Sequence, residues 1–221
     1  MPINTPESPI VANTPKYVGY RSFSGQPLSL ALFQQTNKNM RKVILSMMVS
    51  LDGYVESRGP QEDWYNWDNE MADYMMGFFK TVDTFIYGRR SYEDMIAWWP
   101  PLTDEFATIM NQTKKLVFSR TLDKVEWNSR LLNEDGVEEV RRLKQQPGKN
   151  LVLFAGADLA ETFIKNGLID EYRLIINPVV LGGGKPLFQN VQERFNLRLK
   201  DIIKFNCGNV ILIFSPAHDH P

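Results

Sequence analysis

From residue 42 onward, apolar and polar positions alternate between two periods. Residues 42–49 form a nearly continuous apolar run, the pattern of a strand covered on both faces. An Asp52-Gly53 turn and a short extended piece at Tyr54-Val55 follow. Residues 68–79 change to helical spacing, with Met71, Met75, Phe78 and Phe79 on one face. The pattern then predicts a strand at 84–87, a helix at 91–98 stopped by Pro100-Pro101, a helix at 104–112 and a strand at 115–118. Val125-Glu126-Trp127 reads as a small strand. A helix at 136–145 ends at Pro147-Gly148, a strand covers 151–154, and a helix at 158–166 stops at Gly167. A strand at 171–180 precedes a final pair, 195–205 and 210–215, joined by Asn206-Cys207-Gly208-Asn209, a hairpin signature. An α/β front half with an antiparallel end gives a mixed sheet flanked by helices. Residues 1–15 are rich in Pro, Asn, Thr and Ser without periodicity, and 28–33 is the one apolar piece before residue 40. The expected organisation is an N-terminal extension over 1–39, partly mobile, and one domain over 40–216.

Composition narrows the chemistry. The 221 residues suffice for one domain with a full core. A net charge of −1 gives no global attraction to nucleic acid or to an anionic membrane. No apolar run approaches the ~20 residues of a membrane span, and no leader pattern opens the chain. The single cysteine, Cys207, fits a reducing compartment, so a cytoplasmic setting is expected. The two histidines, His218 and His220, stand in the C-terminal tail. Histidine catalysis in the core is thereby excluded, and no cluster has metal-ligand spacing. Chemistry is left to carboxylates, tyrosine, lysine or a bound cofactor.

Three strand ends carry the candidate chemistry. Phe85-Ile86-Tyr87 runs into Gly88-Arg89-Arg90-Ser91 and then a helical pattern. A helix start offers unpaired N–H groups, glycine allows close approach, and arginine forks suit phosphate. Ser91 with Asp94 also has capping-box spacing, so a capped surface helix with solvated arginines is an equal reading of this segment alone. Leu116-Val117-Phe118 runs into Ser119-Arg120-Thr121, and Leu151-Val152-Leu153-Phe154 into Ala155-Gly156-Ala157-Asp158-Leu159. Ligands of open α/β sheets sit at such carboxyl ends, and three converging ends suit a dinucleotide. Asp52 lies in a turn that is either a plain connection or a loop over the ligand. Trp98 and Trp99 are candidate walls for a planar ligand. Gly182-Gly183-Gly184-Lys185 lacks phosphate-loop spacing and is followed by Pro186; it reads as a flexible strand exit.

In order, Ser50-Leu51-Asp52-Gly53, Gly88-Arg89-Arg90-Ser91-Tyr92-Glu93, Ser119-Arg120-Thr121-Leu122, Ala155-Gly156-Ala157-Asp158-Leu159, Gly167-Leu168-Ile169-Asp170-Glu171 and Pro178-Val179-Val180-Leu181-Gly182 resemble the dihydrofolate reductase-like fold. More narrowly they resemble, over about residues 40–215, the C-terminal reductase domain of the riboflavin-biosynthesis deaminase–reductase, as a stand-alone member. The resemblance implies a three-layer fold with a sheet of about eight strands, NADPH as hydride donor, and a homodimer. It implies that Gly88, Arg89, Arg90 and Ser91 bind the adenine-side phosphates. Ser119 and Arg120 would lie near the adenine ribose and its 2′-phosphate, and Gly156, Ala157 and Leu159 near the diphosphate and nicotinamide. Met48 and Val55 would pack beside the nicotinamide, and Asp73 would stand near the inward carboxylate of dihydrofolate reductases. Two departures are Ala155, where two adjacent glycines are usual, and Asp158, a negative charge beside the diphosphate. Two functions follow: reduction of a planar nitrogen heterocycle such as a pterin, folate or pyrimidine, or a non-catalytic nucleotide-binding scaffold.

Overall fold

The computed structural model describes residues 40–59, 63–133 and 135–217; residues 1–39, with the apolar piece 28–33, and both histidines lie outside them. The elements are β1 (Val43–Ser50), β2 (Tyr54–Glu56), α1 (Asn69–Phe79), β3 (Val82–Gly88), α2 (Arg89–Trp98), α3 (Glu105–Gln112), β4 (Lys114–Phe118) and β5 (Ser129–Leu132). They continue with α4 (Gly136–Lys144), β6 (Asn150–Phe154), α5 (Ala157–Lys165), β7 (Glu171–Asn177), β8 (Lys185–Pro186), β9 (Leu197–Lys204) and β10 (Val210–Pro216). Among the described residues, eight strands form one sheet in the order β5-β4-β3-β6-β1-β7-β10-β9, and β2 pairs with β8 separately. The strands from β5 to β7 run parallel, while β10 is antiparallel to both neighbours. This is the dihydrofolate reductase-like arrangement with its antiparallel C-terminal end.

β1 shows why the sheet needs cover on both sides. Val43, Leu45, Met47 and Val49 enter one core cluster with Val140 of α4 and Ala157, Ala160 and Phe163 of α5. Ile44 enters the other, with Met71, Met75, Phe78 and Phe79 of α1, Tyr92 of α2 and Met110 of α3. Each fully buried large apolar side chain contributes about 1.5–3 kcal/mol, so neither helical layer is dispensable.

Polar contacts tie the elements at both edges of the sheet. At the amino edge, the buried Arg41 guanidinium donates to the Lys149 carbonyl at 2.6 Å and to Thr84 Oγ1 at 2.9 Å, and pairs with Asp83. At the opposite edge, Asp68 caps α1 by accepting from Met71 N at 2.8 Å, and its other oxygen accepts from Cys207 N at 2.9 Å. Asn66 N donates to Asn177 Oδ1 at 2.9 Å, Asn209 Nδ2 donates to the Asn66 carbonyl at 2.7 Å, and Glu70 accepts from Asn206 N at 3.0 Å. The β9–β10 turn is thereby fastened to the head of α1.

Several boundaries differ from the sequence pattern. Val125-Glu126-Trp127 is not a strand; Trp127 and Asn128 take left-handed backbone (φ 63° and 52°), and β5 starts only at Ser129. Trp127 serves the core instead, donating Nε1–H to Asn111 Oδ1 at 2.8 Å. Its ring lies under the Lys115 ammonium, 3.9 Å from the centroid. Lys115 is 1% exposed and donates to the carbonyls of Asn111 and Thr113 at 3.1 and 2.6 Å. The helix expected at 91–98 starts at Arg89, with Gly88 as N-cap, so Ser91 and Asp94 form no capping box. β7 ends at Asn177, where Pro178 removes the next donor.

Burial pushes the Lys115 ammonium down to about 8. Below pH 8 the group is charged in both the folded and the unfolded chain, and the folded state bears the desolvation. Between about pH 8 and its ordinary value of 10.5 the folded chain binds fewer protons, so stability rises with pH through this window. Lys115→Met is expected to remove that rise, a difference on the order of 3 kcal/mol across the window. Denaturant titrations of both proteins from pH 7 to 10.5 check it; equal pH slopes would contradict it.

Candidate functional site: paired helix starts under a glycine clasp

β3 and β6 are parallel neighbours with Tyr87 opposite Phe154, so α2 and α5 begin side by side at the carboxyl edge. The N-caps are Gly88 and Gly156, both extended and neither with a side chain to accept from the first turn. α1 and α3 are built differently, closed by Asp68 and Asp104, each accepting a backbone N–H at 2.8 Å. The N–H groups at the starts of α2 and α5 are therefore open to an anion, and the helix dipoles favour one. The two starts are in contact range: a Cβ on Gly88 would lie 3.8 Å from Leu159 Cδ2.

The charges around these starts are unevenly committed. Arg89 pairs with Glu93 one turn on, at 3.0 Å. Arg90 and Arg120 are exposed and form no ion pair with the described residues. Asp158, in the first turn of α5, accepts from Lys185 Nζ at 2.5 Å and Gln189 Nε2 at 2.8 Å. The bond from Lys185, then that from Gln189, and the charge of nearby Arg90 hold its carboxyl below the ordinary range. The negative charge that conflicts with an anion site is thus neutralised sideways.

Lys185 arrives through a clasp. β2 and β8 pair antiparallel, with Glu56 opposite Lys185. Asp52 does not stand over open space; it accepts from Ser50 Oγ at 2.7 Å, Leu181 N at 3.1 Å and Gly182 N at 2.8 Å. The Ser50 bond above all, then those from Gly182 and Leu181, hold its carboxyl below the ordinary range. The triple glycine is not a loose strand exit. A Cβ on Gly183 would run into the Arg58 guanidinium, and one on Gly184 into the Glu56 carbonyl oxygen. Both glycines are what lets two chain segments lie this close. The Glu56 carboxylate reaches on to α5, where Oε1 lies 2.9 Å from the place a Cβ on Gly156 would take. Glu56, Arg58, Lys185 and Gln189 are functional candidates that local sequence reading misses; the glycine run was the available signal.

The other expected residues divide. Ser91 is half-buried in the first turn of α2, and the backbone of Ala157 lies in that of α5. Ser119 Oγ accepts from Thr121 N and Leu122 N at 3.1 and 3.0 Å and lies 3.5 Å from Thr121 Oγ1, which shapes the turn after β4. Met48 is half-buried near the end of β1, and Val55 is in the core. Trp98 is 66% exposed, whereas Trp99 stacks on Phe106 at 5.3 Å. The inward carboxylate expected at Asp73 is not found. Asp73 is exposed, because two residues from both Met71 and Met75 is about 200° around the helix from the buried face. Asp68 and Glu70 are held by the cap and the hairpin turn.

Gly184 combines φ of 139° with the contact to Glu56, so Gly184→Ala is strained twice. A loss of about 1–3 kcal/mol is expected, read as a lower melting temperature with faster amide exchange over 181–187. Unchanged melting would show that the clasp does not require glycine there.

Comparison with known proteins places this geometry. Residues 41–211 match the RibD C-terminal domain. The Bacillus subtilis (strain 168) protein YyaP, itself uncharacterized, is 38% identical over 183 residues, covering 80% of this chain and 96% of its own. A putative riboflavin biosynthesis protein from Shewanella sp. PV-4 superposes with TM-score 0.65 at 20% identity, over 80% of this chain and 99% of that one. Dihydrofolate reductase from Enterococcus faecalis, complexed with NADP(H), superposes with TM-score 0.56 at 13% identity, over 80% and 97%. With open helix starts at the carboxyl edge of a sheet of this order, and a match across almost all of the described residues, the chain belongs to the RibD C-terminal domain family.

Proposed function

We propose that this protein is an NADPH-dependent reductase of a planar nitrogen heterocycle of the pterin, folate or pyrimidine type. The observation that carries the reading is the pair of uncapped helix starts at Gly88 and Gly156, flanked by Arg89 and Arg90. The donor set fits the cofactor. Open N–H groups suit a diphosphate, and Arg90 and Arg120 are uncommitted cations for a further phosphate. Gly88 and Gly156 leave the backbone accessible. The pairing of Asp158 with Lys185 answers the charge objection to an anion here, while Ala155 and the outward Asp73 are what a non-catalytic reading retains.

The bound cofactor would supply hydride; the chain supplies position. The first turns of α2 and α5 hold the diphosphate through backbone N–H groups, with Ser91, Ala157 and Leu159 alongside. Arg89, Arg90, Ser119 and Arg120 would hold the 2′-phosphate. Met48, packed against the α1-side cluster, and Val55, in the opposite one, would offer apolar contact to the nicotinamide, and the exposed Trp98 indole is available to the substrate. Asp73 points outward while Asp68 and Glu70 are engaged, so ordered water brings the proton.

Among the described residues no helix is long and apolar enough to cross a membrane, and no three or more His, Cys, Asp or Glu side chains are grouped so as to hold a metal ion. Cys207 is a free thiol, which suits the cytoplasm. The sheet ends on β9, where Leu199 and Ile202 are exposed, an edge suited to a second copy of the chain.

NADPH is expected to bind more tightly than NADH. Arg90→Ala should remove one charge-assisted contact, costing about 1.5–3 kcal/mol on NADPH and little on NADH. Calorimetry with both cofactors tests this, and equal wild-type affinities would refute the preference. Turnover is sought by following NADPH oxidation with pterins, folates and pyrimidines. Light scattering is expected to give twice the chain mass, and Ile202→Glu to shift it toward one.

A further inference from the structure

The carboxylate of Glu56 has no use within the described fold. It comes from β2 and leans across Gly156, with Oε1 2.9 Å from the position of a Cβ there. The side chain is half-buried and forms no hydrogen bond or ion pair with the described residues. Nearby cations are otherwise engaged: Lys185 is held by Asp158, and the Arg58 guanidinium packs on Gly183. A carboxylate without a protein partner beside a helix start is available to a ligand that brings donors to it.

The strand order says which part of a dinucleotide those donors belong to. Reading β4-β3-β6-β1 across the sheet, Arg120 follows β4, Arg89 and Arg90 follow β3, and the start of α5 follows β6. Glu56 enters from the far side, on the strand that continues β1. The cations therefore mark the end that carries the extra phosphate, and Glu56 lies past the diphosphate toward the other end. A carboxylate cannot accept from a phosphate oxygen, since both are anionic acceptors; it requires O–H or N–H donors. The group next to the diphosphate on that side is a ribose with two free vicinal hydroxyls, whereas the ribose on the other side has one of its hydroxyls phosphorylated. We infer that Glu56 is a cofactor-binding residue that accepts hydrogen bonds from the vicinal hydroxyls of the nicotinamide ribose. The assignment rests on the cofactor reading above and adds to it a grip on the hydride-donating half, which fixes the nicotinamide in rotation as well as in position.

The test separates the two halves of the cofactor. Affinities for NADPH and for adenosine 2′-phosphate 5′-diphosphate, which keeps the diphosphate and lacks the nicotinamide riboside, are measured by calorimetry on the wild type, Glu56→Ala and Glu56→Gln. Glu56→Ala is expected to weaken NADPH about tenfold and leave the adenosine nucleotide unchanged. Glu56→Gln, which keeps the shape and one acceptor oxygen, should lose less. Thermal melting shows that both variants are folded, and the glutamine variant carries the test if the alanine one is not. Unchanged or tighter NADPH binding in the folded variants overturns the assignment, as does an equal loss for both ligands. A wild type that binds neither nucleotide overturns the cofactor reading itself, an outcome distinct from the others.

Discussion

A parallel sheet has a direction, and everything at this site depends on it. β1, β3, β4 and β6 all run the same way. Each chain segment leaving β3 or β6 must therefore emerge at one edge and return through a helix over a face. The hydrophobic residues on both faces of β1 enforce the covering layers. Open N–H groups at one edge follow from that packing, because Gly88 and Gly156 pass directly from strand to helix without a loop that could supply a cap. The site is a by-product of core geometry, sharpened by the choice of glycine at two positions.

The electrostatics of this edge are balanced by short-range pairing. Asp158 would weaken an anion site by its charge, yet Lys185 and Gln189 commit that charge to the β8 segment. Asp52 is likewise spent on the backbone of Leu181 and Gly182. What remains uncommitted among the groups named here is a positive flank at Arg90 and Arg120 and an acidic group at Glu56. That asymmetry gives the edge two chemically different ends.

The strand and helix pattern was legible where one element buries one face. Met71, Met75, Phe78 and Phe79 are the buried residues of α1, as their spacing requires. The same spacing already turned Asp73 outward; only the resemblance to reductases with an inward acid placed it inside. The start of α2 was misread because Ser91 and Asp94 imitate a capping box, while the true cap is decided by β3 running on to Gly88. Trp127 looked like a strand residue, but its left-handed backbone is set by Lys115 and Asn111 from other elements. Glu56 and Lys185 could not be joined by local reading, since their pairing links segments far apart in sequence and has no periodic trace in either. The Asp52 contacts with Leu181 and Gly182 are of the same kind, separated by 129 and 130 residues.

The asparagine and aspartate contacts between the head of α1 and the β9–β10 turn have a consequence for biosynthesis. Their partners lie 136 to 143 residues apart, so α1 leaves the ribosome long before the groups that fasten its first turn exist. The apolar face of α1 can settle on β3 early and Asn66 can bond to Asn177 at the end of β7, but the contacts of Asp68 and Glu70 with the β9–β10 turn come last. Completion of the chain, rather than formation of the first helix, is the step that closes this wall of the molecule. A nascent chain halted before the β9–β10 turn would hold most of its core and still lack the contacts that fix the head of α1.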